Sequence, residues 1–349
     1  DLFLGQILAW LLPQNCRPLP AVSPSLQAAL RREPVGLDVA RGNARVKSEQ
    51  VAAIARAGCF RVINAWLQQE LRNDELQSLA SIQGFASSIA TLSLHGCRRV
   101  STASPLGSCE KLRNLDLSWC ASLASVEGLS SCANLQSLSL TECNRLIHIN
   151  GLGGCGSLQT LYLSWCEQLE DISGLRGCAT LKTLQLTGCA RLTGLSGLAS
   201  CRGLQFVNLS KVPKLTDLSE LAQCTALESL IVSDCGRLAD VSALGGCAAL
   251  RQLDLSGCQR LMTVSGLCGC SCLRKVDLSG CPQLADVSGL GGCEALEELD
   301  LSNSPKLGDV SALGSCTALR ELDLFNCPKI ESVSGLGSCK LLTTLNLSG

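Results

Sequence analysis

Thiols are unusually numerous in this sequence, with 24 cysteines in 349 residues. A thiol can attack as a nucleophile, ligate a metal or close a disulfide, and its spacing separates these uses. Two ladders hold most of them. Cys97, Cys120, Cys143, Cys166, Cys189, Cys235, Cys258, Cys281 and Cys327 share one 23-residue register, interrupted by Val212 and Ser304. A second ladder runs unbroken from Cys109 to Cys339 in the same steps. Each ladder cysteine reads as a small buried hydrophobe with a weak S–H donor. Neighbouring thiols of a ladder would be close enough to oxidise, yet identical groups at a fixed interval have no unique pairing. The ladders therefore imply a reducing, intracellular compartment, with the cytoplasm as the expected one. Cys268 and Cys272 stand off the ladders in Cys268-Gly-Cys270-Ser-Cys272, but Cys-x-Cys with no histidine nearby is not a usual zinc spacing.

Other reactive groups are sparse. The two histidines, His95 and His148, lie in different repeat units and give no Ser-His-Asp or Cys-His grouping. Phosphate loops and HExxH are lacking, and Gly153-Gly154, Gly245-Gly246 and Gly291-Gly292 recur at one repeat position as turn glycines. The expectation is a non-enzyme with no cofactor, no metal and no small-molecule substrate. A net charge of −1 and scattered Lys and Arg give no basic footprint for nucleic acid. The apolar run Leu2–Leu12 is too short to span a bilayer and reads as a buried helix ended by Pro13, with a membrane-surface anchor as the lesser alternative.

The element that carries the cysteines is a repeat. Leu94 is followed at every 23rd residue by the second leucine of a Leu-x-Leu, as far as Leu347, with Val232 substituting once. Leu250 to Cys270 spells the unit nearly whole: Leu-x-x-Leu-x-Leu-Ser-x-Cys-x-x-Leu-x-x-Val-Ser-Gly-Leu-x-x-Cys. One such unit cannot bury its own apolar face, so successive units must stack. This spelling resembles the leucine-rich-repeat family in a cysteine-containing, short, intracellular version. The resemblance covers about residues 89–349 and is specific for fold, not for function. It implies an α/β solenoid: a horseshoe with a parallel β-sheet on its concave face. The return segments lack a helical pattern, which predicts turns and short 3₁₀ pieces on the convex face.

Alternation along a strand turns the leucines inward and the residues between them outward. Trp119, Tyr162, Trp165 and Phe206 then fall on outward strand or strand-edge sites in a chain that is only 3% aromatic. They are candidate anchors for a partner. The competing reading has the tryptophans fold over the strand edge and pack only on neighbours. A second outward feature is acidic, Asp254, Asp277, Asp300 and Asp323, read either as a solvated face or as a site for a basic partner. The function implied is a protein-interaction scaffold that holds a partner protein on the concave face. Two alternatives stand beside it: a recognition or regulatory subunit of a signalling or ubiquitin-ligase complex, which rests on family analogy, and a structural part of a large assembly such as cytoskeleton, axoneme or an organellar ribonucleoprotein.

Before the array the period is lost. Residues 1–45, with Pro13, Pro18, Pro20 and Pro24, read as an N-terminal helix and linker belonging to an upstream region. Residues 46–88 read as a helical cap over the first repeat, from helical patterns at Val46–Ala57 and Cys59–Arg72, merging into a degenerate repeat at Leu79–Ile89. The array is expected to hold about 11 full repeats and to be cut short at its C-terminal end.

Overall fold

The computed structural model describes residues 35–38, 47–57, 60–67 and 69–349. The expected helix at Leu2–Leu12 lies outside these residues.

A single parallel sheet runs the length of the molecule, its 14 strands hydrogen-bonded in sequence order. In the periodic part each strand is three residues long. The series begins with β3 (Thr91–Ser93), β4 (Asn114–Asp116) and β5 (Ser137–Ser139). It continues with β6 (Thr160–Tyr162), β7 (Thr183–Gln185) and β8 (Phe206–Asn208), then β9 (Ser229–Ile231) and β10 (Gln252–Asp254). The last four are β11 (Lys275–Asp277), β12 (Glu298–Asp300), β13 (Glu321–Asp323) and β14 (Thr344–Asn346). The register follows the 23-residue period: Leu92 faces Leu115, and Leu253 faces Val276. Hydrogen bonding continues past each strand, as in Leu94 N–H to Asp116 O and Gly96 N–H to Ser118 O.

The return segments are 3₁₀ turns, from Ser104–Ser108 to Ser334–Ser338. They stack on one another as the strands do, which gives an open horseshoe with the sheet on its concave side. Glycine is required where these turns touch. A Cβ on Gly128 would meet the Ser104 backbone at 2.3 Å, and one on Gly266 the Ser242 backbone at the same distance. One continuous core fills the space between sheet and turns, built from the strand leucines, the turn leucines and the ladder cysteines, nearly all without solvent contact.

The segment before the array differs from expectation. Residues Ser48–Ala57 form helix α1, as their pattern implied. The helical pattern over Cys59–Arg72 does not form a helix: Phe60–Trp66 is a strand, β2. It pairs with β3 through Ala65 and Leu92, and on its other side with β1 (Val35–Asp38). Phe60, Val62, Ile63 and Trp66 are β-branched or aromatic, and a short apolar run of this kind suits either element. The free edge of β3 decides between them, because its backbone groups need a partner. Leu79–Ile89, read as merging into a degenerate repeat, carries short helices. Leu79 closes helix α2 (Asn73–Ala80), and α3 (Gln83–Ala86) follows. These helices bury Leu76, Leu79 and Phe85 against the first repeat. The cap is thus helices laid beside a continued sheet.

Candidate functional site

Two outward rows line the concave sheet. The central row carries Ser93, Asp116, Ser139, Tyr162, Gln185, Asn208, Ile231, Asp254, Asp277, Asp300, Asp323 and Asn346, all half-buried. Asp254, Asp277, Asp300 and Asp323 therefore stand side by side on β10 to β13, as their spacing implied. Each has a local task. Asp254 Oδ1 accepts from Ser256 N–H at 2.9 Å and Oγ–H at 2.6 Å, and Asp277 does the same with Ser279. Asp300 accepts from Ser302 N–H and Asp323 from Phe325 N–H. Asn208 and Asn346 hold the same turn through their own Oδ1. The Leu-Asp-Leu-Ser spelling is thus a device for leaving the strand. The basic groups beside the row pair with glutamates and not with its aspartates. Lys275 Nζ lies 2.5 Å from Glu298 and Arg274 2.6 Å from Glu297. A shallow hollow of about 290 Å³ opens over Lys275, Asp277, Glu298, Asp300, Glu321 and Asp323.

A third column sits where each strand turns out of the sheet, just before the first-ladder position. It runs Gly96, Trp119, Glu142, Trp165, Gly188, Lys211, Asp234, Gly257, Gly280, Asn303, Asn326 and Gly349, and every one has positive φ. Left-handed backbone suits glycine, tolerates Asn and Asp, and strains bulky residues. Trp119, Glu142 and Trp165, each at φ 62, and Lys211 at φ 57 are the outliers. Side chains in this column lean one repeat onward. A Cβ on Gly188 would meet the Trp165 ring at 2.5 Å, and one on Gly257 would meet Asp234 Oδ1 at the same distance. The Trp165 indole thus covers the neighbouring turn yet remains 41% exposed, and Trp119 is 50% exposed. Tyr162 and Phe206 are half-buried on the sheet itself, on β6 and β8. The four aromatics spread across β4 to β8, roughly 20 Å at ~4.8 Å per strand, so they form a band and not a cluster.

From Cys120 and Cys132 onward the ladder thiols do one job. Cys120 Sγ–H donates to Leu94 O at 3.2 Å and Cys132 Sγ–H to Leu106 O at 3.4 Å, each 26 residues back. The same bond recurs along both ladders to Cys327 and Cys339. A thiol here is apolar enough for the core and gives a second hydrogen bond to a carbonyl that already accepts a backbone N–H, as Leu94 O does from Cys97 N–H at 2.9 Å. Burial pushes Cys120 up to about 12 and Cys132 up to about 11. The buried thiols thus stay protonated and unreactive at neutral pH. Cys268 and Cys272 are the exposed cysteines among those described.

One grouping was missed in the sequence. The 23-residue register sets His95 opposite Ser118, with Nδ1 and Oγ 2.7 Å apart, and Ser118 Oγ–H donates to Asp116 Oδ1 at 2.5 Å. Shifting the sequence by one period shows the pairing. The order of contacts is not that of a hydrolytic triad. The serine proton points to the carboxylate, and Asp116 approaches the same Nδ1 at 3.9 Å instead of the far ring nitrogen. Ser118 is also buried. Among the described residues, no group of three or more His, Cys, Asp or Glu could hold a metal ion.

No protein family model matches the chain. No curated protein matches it. Among solved structures, an internalin (InlF) of Listeria monocytogenes superposes with a TM-score of 0.53 at 23% identity, over 86% of this chain and 94% of that one. The chain has the leucine-rich-repeat fold. A leucine-rich-repeat protein of Leptospira interrogans is also similar, with a TM-score of 0.48 at 15% identity over 94% of this chain and 99% of that one. At such identities the likeness speaks for the solenoid alone. Both outward features of this chain lie on or beside its concave sheet. No helix among the described residues is long and apolar enough to cross a membrane.

Proposed function

We propose that this leucine-rich-repeat solenoid is a non-catalytic scaffold that holds a partner protein on its concave face. The observation that carries the reading is the aromatic band. Tyr162 and Phe206 sit on the sheet, and the exposed Trp119 and Trp165 sit at its edge, in a chain that is only 3% aromatic. Exposed aromatics at strained backbone positions are an arrangement that stability alone disfavours, and Trp and Tyr are common interface anchors. The acidic row from Asp254 to Asp323 is a second contact surface in this reading, for basic groups of the same partner. A reducing compartment fits the exposed Cys268 and Cys272 better than it fits the ladders, whose burial already protects them.

The experiment is affinity purification with proteomics, comparing the protein with a variant in which Trp119, Tyr162, Trp165 and Phe206 are all changed to Ser, alongside a thermal melt. Loss of one set of partners from a variant that stays folded supports the aromatic band as the binding surface. Full retention of partners moves the interaction to the acidic row, the convex face or the N-terminal segment.

A further inference from the structure

The outward strand positions divide by charge. From β5 to β9 they carry none, and from β10 to β13 they hold six carboxylates against Lys275. The central row of aspartates has an apolar side chain at each end. Ile231, half-buried, lies beside Asp254 in the register. Phe325 follows Asp323 on the same face and is 42% exposed, at a position that is Ser or Thr in every repeat from Ser118 to Ser302. Asp254, Asp277 and Asp300 spend Oδ1 on their turns, and among the described residues their Oδ2 atoms accept no hydrogen bond and join no ion pair. The hollow over β11 to β13 leaves this row open from above.

Spacing and width choose the shape that fits. Neighbouring strands are about 4.8 Å apart, so the four aspartates span roughly 14 Å. An α-helix lying along the row presents one side chain per turn, about every 5.4 Å, and over four positions it drifts by only ~2 Å. Flexible Lys and Arg stems absorb that drift. An extended chain presents same-side residues about every 6.6 Å and drifts by ~5 Å, more than one whole strand. The width agrees, since a three-residue strand is about 10 Å long and a helix with its side chains ~10–12 Å across. A small cation would have no use for the apolar ends.

We propose that the concave face from β9 to β13 is a docking surface for one α-helix of the partner protein, which carries Lys or Arg once per turn between apolar residues. The basic side chains meet Asp254, Asp277, Asp300 and Asp323, and the apolar ones cover Ile231 and Phe325. The proposal rests on the interaction reading above and deepens it, by giving the partner a shape and a charge pattern.

The test is fluorescence anisotropy of labelled peptides on the whole chain at low salt. The probe is an Ala- and Gln-based helix with Leu near each end and Lys at i, i+4, i+7 and i+11. One control has the same composition with the lysines spread around the helix. A second, Thr-rich and extended, has Lys at every second residue. The one-faced helix should bind about tenfold more tightly than either control. Changing Asp277 and Asp300 together to Asn keeps the turn acceptors and should weaken that binding about fivefold. Changing Asp217 and Asp240 to Asn removes as much charge from exposed return segments and should leave it unchanged. Equal binding of the two helices would reduce the face to general attraction for cations and overturn the proposal, as would tighter binding of the extended peptide or indifference to the Asp277 and Asp300 changes. If the fourfold Ser variant loses its partners while no peptide binds, this inference fails and the interaction reading stands.

Discussion

The Trp165 indole covers Gly188, one repeat onward, so closely that a Cβ on that glycine would come within 2.5 Å of the ring's Cε3. Gly188 also has φ 75, so it is fixed twice, by the backbone and by the ring above it. The Gly188→Ala variant must push the indole aside and take on left-handed strain. The expected cost is about 2 kcal/mol, roughly half from the backbone and half from the displaced ring. A chemical-denaturation melt measures the cost, and a shift in tryptophan emission reports the ring. A melt unchanged within error would mean that the ring rests on the turn without being held by it.

Ser304 interrupts the first thiol ladder, and its buried Oγ has no hydrogen-bond partner. Cys281 and Cys327 on either side donate to Leu255 O and Leu301 O. A buried hydroxyl without a partner costs about 1–3 kcal/mol. Ser304→Cys should let the longer, more apolar thiol reach the equivalent carbonyl and raise stability by about 1 kcal/mol. A lower melting midpoint for this variant would show that the site has adapted to the smaller side chain.

The array was legible in the sequence because burial repeats with the chain: Leu94, Leu117 and their successors as far as Leu324 are each buried in the same way, so the period records the core. Strand β2 was not legible, because Ala65 and Leu92 pair across 27 residues and the 23-residue register does not extend to it. Its apolar run fits helix or strand, and only the open edge of β3 chooses. The left-handed column was half visible. Gly96, Gly188, Gly257, Gly280, Asn303 and Asn326 are residues that tolerate positive φ, but only the backbone shows that Trp119 and Trp165 share that conformation. The contact of His95 with Ser118 joins two repeats, so local spacing could not reveal it.

Thiol chemistry should divide sharply by burial. Iodoacetamide at pH 8 should label Cys268 and Cys272 quickly and spare both ladders until the chain unfolds, which peptide mass spectrometry can read. Rapid labelling of Cys132 or Cys155 in the folded protein would refute the protected-ladder account.

The same burial sets an alkaline limit on stability. Cys120 and Cys155 are raised from 9.0 to about 12, and Cys235 and Cys247 to about 11, chiefly by loss of hydration. The unfolded chain then gives up these protons first. The stabilising effect is complete below about pH 9 and is lost as pH rises through 11 to 12. Urea midpoints should stay level from pH 7 to 8.5 and fall steadily above 9. Midpoints that hold to pH 11 would mean that the thiols titrate alike in both states.

The acidic row has two separable roles, and the side-chain oxygens divide them. One oxygen of each aspartate holds the turn after its strand, and the carboxylate charge is extra to that task. Asn208 and Asn346 already hold the same turn with an amide oxygen. A variant with Asp254, Asp277, Asp300 and Asp323 all changed to Asn should therefore keep its melting midpoint within a few degrees. The Asp277→Ala change alone should cost about 1 kcal/mol, because the Ser279 N–H and O–H lose their acceptor. With the fold preserved, the fourfold Asn variant isolates the charge. If the row receives basic groups of the partner, its affinity should fall and the salt dependence of binding should flatten. Unchanged affinity at low salt would leave the aspartates as turn residues alone, and would place the recognition on the tryptophan side of the sheet.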